Sequence, residues 1–388
     1  LRFSRPVTVG DTLTVSVTVK EKLDAKHRVI FDCLAVDQDG STIITGEAEV
    51  LAPTEKICRP RIEMPAITVD DRVARLNSLL ARVAGFGPLA LAVVHPCDEP
   101  SLRGALRARD LGIATPTLIA PIAKLKSLAL QHDLKLDGCR LVDVPHSHAA
   151  AQAAVRMASS GEVQALMKGS LHTDELMAEV VAADSGLRTE RRITHVFWFD
   201  LPHHDRPLLV TDGAINIAPD LEAKADIVRN AIDLARAIGL HDPHVAVLAA
   251  VENVNPRMPA TLDAAALCKM ADRGQISGAR IDGPLALDNA VSAVAARIKG
   301  IKSAVAGRAD ILVVPNIEAG NMLAKQLEYL GDALTAGVVL GARVPIVLTS
   351  RADTVETRVA STAVAQLMAH GPRARSERAE EAAEQARA

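Results

Sequence analysis

The 388-residue sequence is poor in aromatic residues, which make up only 2% of it, although apolar residues make up 49%. The apolar residues are therefore mostly Ala, Val, Leu and Ile, which helix–sheet packing favours. So few aromatic side chains argue against a protein that stacks the bases of single-stranded nucleic acid. The 44 Lys and Arg nearly balance the 47 Asp and Glu, so the composition supports neither a nucleic-acid surface nor a polybasic membrane patch.

The sequence also lacks the cysteine pairs of zinc sites and disulfide frameworks. Its five cysteines are far apart, with no CxxC pair, which is typical of a reducing cytoplasm. No apolar run approaches the roughly 18 residues of a membrane span, and no signal peptide opens the chain. We expect a cytoplasmic protein without a metal. Because residue 1 is Leu, we also expect a fragment or a processed start.

Three familiar catalytic or binding motifs are absent or incomplete. The sequence has no GxxxxGK[ST] phosphate loop and no GxSxG serine elbow. The segment "GFGPLA" at 85–90 has two of the three glycines of GxGxxG but precedes a strand, so it predicts a turn. The segment "PHHD" could hold a metal, but adjacent histidines point apart on most backbones, which favours a solvated loop.

Residues 1–53 have the period of β-strands. In "DTLTVSVTVK", Leu13, Val15, Val17 and Val19 alternate with Thr and Ser, which predicts a half-buried strand. The segments "RVIFDCLAVDQDG" and "STIITGEAEVLAP" predict two more strands, the last ending at Pro53. Three antiparallel strands without a helix form half of a small domain, which has an exposed edge and little to cover its apolar face.

A proline-bearing segment, "PTEKICRPRIEMPAITVDD", separates these strands from a pattern of alternating strands and helices. This alternation predicts parallel sheets with helices on both faces. The helix in "DEPSLRGALRARDLGI" has Ser101 as its expected cap, and "LDNAVSAVAARIKGI" predicts one continuous helix. The predicted strands are "PLALAVVHP", "TPTLIAP", "VQALMKG", "RPLLVTD", "HVAVLAAVE", "ADILVVP" and "RVPIVLTS". The charged, Ala-rich end predicts a frayed helix or a disordered tail.

Several predicted strands end in short polar segments. Ligands bind at the carboxyl ends of strands in open α/β sheets, so we expect these segments to line one cleft. An Arg there can hold phosphate or carboxylate with two parallel hydrogen bonds, and helix starts also favour anions. The pattern indicates a phosphorylated or nucleotide ligand. The residues are Lys168, Gly169, Ser170, His172, Thr173, Asp212, Asn216, Asn316, Glu318, Gly320, Asn321, Ser350 and Arg351.

Several of the candidate residues also have an ordinary structural interpretation. Ser350 could cap the helix that follows it, with Arg351 merely solvated. Lys325, in "NMLAKQL", could be a solvated helix residue, as most lysines are.

The glycines and asparagines among the candidate residues also have ordinary structural interpretations. Gly169 and Gly320 could serve tight turns. Asn316 and Asn321 could cap the following helix, and for one of the two this is the favoured interpretation.

Seven motifs between about residues 75 and 370 resemble those of the phosphotransacylases. Their residues are closer to the phosphate butyryltransferase branch than to typical phosphate acetyltransferases. The motifs are "LMKGSLHT", "HVFWFDLP", "LLVTDGAINIAP", "AVLAAVENVNPRMPAT", "MADRGQISGARIDGPLALDNA", "KGIKSAVAGRADILVVPNIEAGNMLAK" and "PIVLTSRADTVET". The resemblance implies interconversion of acyl-CoA plus phosphate with acyl phosphate plus CoA. It also implies two α/β domains around a cleft, similar to isocitrate-type dehydrogenases, and a homodimer or larger oligomer. The implied domain covers 75–372, after a linker at 58–74 and before a tail at 373–388.

The resemblance places Ser350 and Arg351 at the reaction centre. The Arg would hold phosphate or the CoA end, and the Ser would donate a hydrogen bond to the carbonyl oxygen as charge develops there. Acyl-CoA and phosphate are then substrates, and no further cofactor is expected. The substrate-binding residues are predicted to be Lys168, Gly169, Thr173, Asp288, Asn316, Gly320, Asn321 and Lys325.

Two positions depart from the acetyltransferase pattern. An Asp proposed as the base that takes the thiol proton is replaced by Thr357, which leaves Asp353 and Glu356 as alternative bases. An Arg in the helix after "GSLHT" is also missing; Glu179 lies in the aligned region. The arginines that could compensate for it are Arg188, Arg191 and Arg192.

Residues 1–57 resemble the C-terminal half of a MaoC-type hotdog enoyl-CoA hydratase, in "LRFSRPVTVGDTLTVSVTV" and "GEAEVLAP". The catalytic Asp and His of that family lie upstream of the first motif, so no hydratase site can be assigned. Both modules handle acyl-CoA, so the resemblance implies part of a bifunctional polypeptide.

Two other functions remain open. A dehydrogenase of the isocitrate or isopropylmalate type would use aspartates such as Asp282 and Asp288 to bind metal. A non-catalytic acyl-CoA-binding protein would have lost its base.

Overall fold

The computed structural model describes residues 1–8, 10–56, 72–202 and 204–371. The chain divides into two compact units, Leu1–Val69 and Asp70–Ala388. Most of the predicted linker at 58–74, His203 of "PHHD" and the predicted tail at 373–388 lie outside the described residues. The predicted domain boundaries therefore stay predictions, except that residues 72–74 already belong to a helix.

The first unit contains a four-stranded antiparallel sheet in the order β1-β4-β3-β2. Its strands are β1 (Arg2–Phe3), β2 (Thr14–Leu23), β3 (Arg28–Val36) and β4 (Thr42–Leu51). The last three are the three strands that the sequence predicts. The hotdog assignment itself stays a prediction.

The expected half-burial of β2 is wrong in this structure. Val15, Val17 and Val19 are 66%, 58% and 48% exposed, and the Thr and Ser residues between them are exposed as well. They lie opposite Ala35, Cys33 and Phe31 of β3, so alternation does place them on one face of the sheet. A sheet buries a face only when a second layer packs on it, and the residues described here supply no such layer for β2.

The second unit alternates strands and helices. Its strands are β5 (Leu89–Val94), β6 (Ala114–Ala120), β7 (Arg140–Asp143), β8 (Ala165–Lys168), β9 (Thr194–Asp200), β10 (Leu208–Thr211), β11 (His244–Leu248), β12 (Arg280–Leu285), β13 (Ile311–Val313), β14 (Leu334–Leu340) and β15 (Ile346–Val347). Its helices are α1 (Arg72–Val83), α2 (Glu99–Asp110), α3 (Ile122–Gln131), α4 (Ser147–Ser159), α5 (Thr173–Val181), α6 (Leu221–Ala237), α7 (Pro259–Asp272), α8 (Leu287–Val291), α9 (Ala293–Ile298), α10 (Ile317–Tyr329) and α11 (Val355–Ala369).

The strands of the second unit form one 11-stranded sheet in the order β12-β11-β13-β10-β9-β14-β15-β8-β5-β6-β7. Apolar side chains bury both of its faces: in β5, Leu91 and Val93 join one core cluster, and Ala92 and Val94 join another. A strand that is buried on both faces explains the continuous apolar run "LALAVV". The predicted α/β architecture with helices on both faces is confirmed.

The alternating pattern predicts a parallel sheet, but the sheet is only partly parallel. Two parallel groups, β12-β11-β13-β10 and β15-β8-β5-β6-β7, are joined by β9 and β14, which pair antiparallel with each other and with their outer neighbours. The two strand groups share one sheet within a single compact unit, so the division into two α/β domains stays a prediction.

The register shows where the two groups meet. Thr211, at the end of β10, lies opposite Val196 of β9, which lies opposite Val338 of β14. Val338 in turn lies opposite Val347, at the end of β15. The strands of the two groups therefore run towards each other, and their carboxyl ends meet along the middle of β9 and β14. Loops from both groups reach the same region for this reason.

Polar side chains fix the helix starts. Asp98, and not the predicted Ser101, caps α2: its carboxylate accepts a hydrogen bond from the Ser101 N–H at 2.8 Å. The predicted helix in "LDNAVSAVAARIKGI" is broken, because Ser292 accepts a hydrogen bond from the N–H of Ala295 and starts α9 anew. These bonds satisfy N–H groups that have no partner within the helix.

Strands β7, β9, β12 and β14 were not predicted. No helix in the described part of the chain is long and apolar enough to cross a membrane.

Candidate active site

The segment from Thr349 to Thr354, called the Ser350 turn below, connects β15 to α11. The N–H of Ser350 donates to Asp353 Oδ2 at 2.7 Å, and Thr354 caps α11 by accepting from the N–H of Thr357 at 3.2 Å. Ser350 is therefore not the helix cap, and its hydroxyl is not committed to that role. Among the described residues, its Oγ accepts only a long hydrogen bond, at 3.4 Å, from the N–H of Ala352.

Arg351 is exposed on this turn. Within the described ranges, no carboxylate lies within ion-pair distance of its guanidinium. The side chain is thus available to an anion from solvent.

Arg358, a buried arginine that the sequence analysis did not identify, holds the Ser350 turn by hydrogen bonds. Arg358 is 1% exposed, and it donates to Thr349 Oγ1 at 2.5 Å and to the carbonyl oxygen of Ser350 at 2.9 Å. Burial lowers its pKa, while Asp98 and Asp353 act in the opposite direction. Its stem packs so closely on α2 that a Cβ on Gly104 would lie 2.6 Å from its Cδ.

Lys168, at the end of β8, is a second buried cation, 5% exposed. Its Nζ lies 3.4 Å from the carbonyl oxygen of Gly169, and none of the described carboxylates pairs with it. Burial lowers the pKa of Lys168, and the charges of Arg358 and Arg351 lower it further. Both arginine charges therefore oppose the charge on Lys168, and an anion placed among Lys168, Arg351 and Arg358, called the cation cluster below, would relieve that repulsion.

Gly169 has a packing role and does not adopt a left-handed conformation. A Cβ there would lie 2.4 Å from the carbonyl oxygen of Val94, so only glycine allows β8 and β5 to approach this closely at their ends. The neighbouring Ser170 Oγ donates to the carbonyl oxygen of His95 at 2.9 Å. Thr173 is half-buried at the start of α5.

Lys325 reaches the Ser350 turn from the other strand group. Its Nζ lies 2.7 Å from Glu328 Oε2 and 3.6 Å from Asp353 Oδ1. Burial lowers its pKa, but the bond to Glu328 and the charge of Asp353 outweigh burial and raise the pKa overall. Lys325 is thus a paired cation, and its interpretation as a solvated helix residue is wrong.

Asp353 is the carboxylate that joins these parts. It is 8% exposed; Oδ2 accepts from Ser350, and Oδ1 is buried without a hydrogen-bond partner among the described residues, with Lys325 as its nearby charge. One carboxylate oxygen of the Ser350 turn therefore accepts no hydrogen bond from the described residues.

The start of α10 lies against the loop after β10. Asn316 caps the helix by accepting from the N–H of Ala319 at 3.0 Å. Gly320 again allows close approach, because a Cβ there would lie 2.8 Å from the carbonyl oxygen of Asp212. Asn321 donates to the carbonyl oxygen of Gly213 at 3.3 Å. In this structure these predicted substrate-binding residues hold α10 against that loop.

Asp212 organises the loop itself. It is 2% exposed and accepts hydrogen bonds from the N–H groups of His195, Ala214 and Ile215 and from the side-chain amide of Asn216. Asn216 in turn accepts from Arg192 Nε at 2.7 Å, so Arg192 is the one of the three compensating candidates with a side-chain bond to this loop.

His195, on β9, is another residue that sequence reasoning missed. It is 1% exposed, burial lowers its pKa to about 4, and its Nδ1 has no hydrogen-bond partner in the part of the chain described. It is therefore a neutral imidazole between the loop at Asp212 and the end of β15.

Three residues singled out in the sequence lie apart from this cluster. Glu356 is exposed and lines a separate cavity of about 540 Å³, called the α11 cavity below. Asp288 pairs with Lys299 at 3.2 Å, and Glu179 lies 3.2 Å from His148.

The aspartates that the dehydrogenase alternative would use as metal ligands are engaged locally. Asp282 accepts from the N–H of Gly283 at 2.8 Å, and Asp288 pairs with Lys299. Among the residues that the structure describes, no group of three or more His, Cys, Asp or Glu side chains could hold a metal ion.

Comparison with known proteins relates this arrangement to a family. The family described as phosphate acetyl/butaryl transferase matches residues 146–366. The chain is 60% identical over 301 residues to a phosphate acetyltransferase of Rhizobium meliloti, covering 78% of this chain and 95% of that protein. It is 42% identical over 297 residues to a phosphate butyryltransferase of Clostridium acetobutylicum, covering 76% of this chain and 99% of that protein.

A solved structure leads to the same family. A branched-chain phosphotransacylase from Enterococcus faecalis V583 superposes with a TM-score of 0.65 at 32% identity, covering 73% of this chain and 99% of that one. The chain belongs to the phosphate acetyl/butaryl transferase family.

Proposed function

We propose that the chain is a phosphate acetyltransferase, which interconverts acetyl-CoA plus phosphate with acetyl phosphate plus CoA. Phosphate acyl transfer follows from the family. The acetyl group is proposed because identity to the R. meliloti acetyltransferase, 60%, exceeds identity to the C. acetobutylicum butyryltransferase, 42%. The observation that carries the proposal is the cation cluster, in which Lys168 and Arg351 have no carboxylate partner among the described residues.

The cation cluster suits the phosphate substrate. In the forward direction a phosphate oxygen attacks the thioester carbonyl carbon, a C–O bond forms, and the C–S bond breaks to release CoA. Arg351 can hold two phosphate oxygens with its planar guanidinium, and Lys168 adds a point charge from the end of β8. Ser350 Oγ would donate to the carbonyl oxygen, which gains negative charge as the bond forms.

Asp353 is the better supported of the two alternative bases. Its Oδ1 is buried, accepts no hydrogen bond from the described residues and belongs to the Ser350 turn, whereas Glu356 lines the α11 cavity. When CoA attacks acetyl phosphate, Asp353 would accept the thiol proton as the C–S bond forms, and the C–O bond to phosphate breaks to release inorganic phosphate. In the opposite direction it would return that proton to the departing sulfur.

The test is CoA release from acetyl-, propionyl-, butyryl- and longer acyl-CoA, with and without phosphate. We expect release only with phosphate, with acetyl-CoA giving the highest kcat/KM. Release without phosphate would indicate a thioesterase and contradict the proposal. CoA binding by calorimetry without acyl phosphate formation would favour the non-catalytic binding protein, and NAD-dependent turnover with a divalent metal would favour the dehydrogenase.

A further feature of the proposal concerns the oligomeric state. We expect a homodimer or larger oligomer, and a monomer mass by light scattering at micromolar concentration would contradict it.

A further inference from the structure

His195, on β9, lies between the loop after β10 and the end of β15 and is bonded to both. Its N–H donates to Asp212 Oδ2 at 3.1 Å, and its carbonyl oxygen accepts from Thr211 Oγ1 at 2.7 Å. Its ring donates a hydrogen bond to the backbone carbonyl of Leu348, the residue after β15. One buried side chain therefore connects that loop to the segment that leads into the Ser350 turn.

Gly337, on β14, leaves the room in which this ring reaches Leu348. A Cβ on Gly337 would lie 2.5 Å from the carbonyl oxygen of Leu348 and 3.0 Å from His195 Nε2, so a methyl group would crowd both atoms. The carbonyl oxygen of Gly337 also accepts from the Leu348 N–H at 3.1 Å. Strands β9 and β14 together thus fix the backbone of Leu348.

The ring of His195 is neutral, so it has a single N–H to donate. Burial lowers its pKa to about 4, and the charge of Lys325 lowers the pKa further, while Asp212 and Asp353 act in the opposite direction. Nδ1 is buried without a hydrogen-bond partner in the described part of the chain. Nε2 is therefore the nitrogen that donates to Leu348.

The unpartnered Nδ1 makes histidine a poor choice for packing alone. A buried acceptor without a donor loses the hydrogen bonds that it makes with water in the unfolded chain. The ring of Phe197 lies edge-on to the imidazole, with 4.3 Å between the ring centroids, so an apolar side chain would suit this position. A buried polar group without a partner needs an explanation other than stability, and the bond to Leu348 supplies one.

Three consecutive residues of this segment are held by buried side chains from two elements. His195 of β9 holds Leu348, and Arg358 of α11 holds Thr349 Oγ1 and the carbonyl oxygen of Ser350. Ser350 lies two residues after Leu348, so a shift of the Leu348 carbonyl would also move the Ser350 hydroxyl.

We propose that His195 is a positioning residue for acyl transfer. Its ring N–H holds the Leu348 carbonyl, and with it the Ser350 turn, in register with the loop after β10. This inference rests on the proposed function, in which Ser350 donates to the reacting carbonyl oxygen. His195 itself does not touch a substrate. Its loss should therefore lower kcat and leave the KM for acyl-CoA nearly unchanged.

The experiment compares three variants of His195. His195→Leu removes both nitrogens. His195→Gln carries an amide nitrogen as many bonds from Cα as Nε2, whereas the amide of His195→Asn is one bond too short. The control is His241→Leu, which removes an exposed histidine from the loop before β11.

We expect kcat to fall about 10- to 100-fold in His195→Leu and His195→Asn, because a displacement of about 1 Å can cost 10²-fold. His195→Gln should recover most of the wild-type kcat, since it restores the donor. His195→Leu should unfold at the wild-type temperature or above it, because the unpartnered Nδ1 is gone. His241→Leu should match wild type in kcat and KM.

Equal kcat values in His195→Gln and His195→Asn would overturn the inference, and so would wild-type kcat in His195→Leu. A His195→Leu protein that unfolds well below the wild-type temperature would also contradict it, by showing that the histidine serves the fold. All variants are assayed with the acyl-CoA that wild type turns over fastest. A preference for another acyl group, or an inactive wild type, would count against the proposed function and is separate from any difference between variants.

Discussion

The first turn of α11 separates two regions that share a short segment of sequence but differ in surroundings. On one side, Asp353 is buried, bonded to Ser350 and paired with Lys325 from the other strand group. On the other side, three residues later, Glu356 is exposed among the arginines of the α11 cavity. Both residues carry a carboxylate, and both lie within six residues after Ser350. Their burial and partners are what distinguish a candidate base from a wall residue.

Asp353→Asn should give the largest effect. The amide keeps the shape but cannot accept a proton, and general base catalysis typically contributes 10²–10⁴-fold. We expect kcat with acetyl phosphate and CoA to fall by about that factor. Because the Asn side chain can still accept from the Ser350 N–H, thermal unfolding should change little. A loss below threefold would mean that Asp353 is not the base.

Ser350→Ala should come next. Removing one donor to a developing oxyanion costs roughly 10²–10³ in turnover. The loss should appear in kcat rather than in the KM for phosphate. An effect confined to KM would show that Ser350 binds substrate and does not stabilise the reacting carbonyl.

Arg351→Lys keeps the charge and removes the planar fork. We expect a loss of about 10- to 100-fold, or about 1.4–2.8 kcal/mol of transition-state stabilisation, in kcat/KM for phosphate. Full activity in this variant would contradict the role of Arg351 as a two-pronged phosphate ligand.

Gly104→Ala tests whether the stability of the protein depends on the close packing of Arg358 against α2. The added methyl would lie 2.6 Å from Arg358 Cδ and 2.9 Å from its Cβ, so α2 or α11 must shift. Overpacking of this kind typically costs about 1–3 kcal/mol of unfolding free energy. Gly85→Ala is the matched control, since a Cβ there meets no atom within 4 Å. Equal stability of the two variants in a denaturant titration would contradict the tight packing around Arg358.

Glu356→Gln should give the smallest effect. Glu356 is exposed on the wall of the α11 cavity, where a single charge interaction is worth only about 0.2–1 kcal/mol, so the KM for acetyl-CoA should change little. The kcat should be unchanged. A large fall in kcat would make Glu356 the base and reverse the comparison between the two sides.

Much of the fold follows from local sequence signals. Continuous apolar runs such as "LALAVV" identified the strands that are buried on both faces, and the polar segments after them identified the loops of the site. The unpredicted antiparallel strands β9 and β14 carry apolar runs too, but the partner of a strand is a distant segment, which no local pattern specifies. The direction in which the two strand groups run was therefore not predictable from the alternation of strands and helices.

The site was predictable in its loops but not in its buried charges. Ser350 and Arg351 follow a strand and Lys168 ends one, so their position at a strand end indicates a role in the site. Arg358 and His195 lie within buried elements, where only the partners that the fold brings to them reveal a role. The spacing of Asp353 and Glu356 could not separate them, because Asp353 precedes the helix and helical periodicity does not apply to it.

The position of β15 has a consequence for the assembly of the protein during synthesis. This two-residue strand is the last one that the structure describes along the chain, yet it lies between β14 and β8 in the middle of the sheet. Until Ile346 and Val347 leave the ribosome, the two strand groups have no shared hydrogen bonds through which to form one sheet. Each group can begin to fold as a unit before then, as the domains of larger proteins do. An active enzyme, however, can appear only after β15 and the Ser350 turn that follows it have been translated.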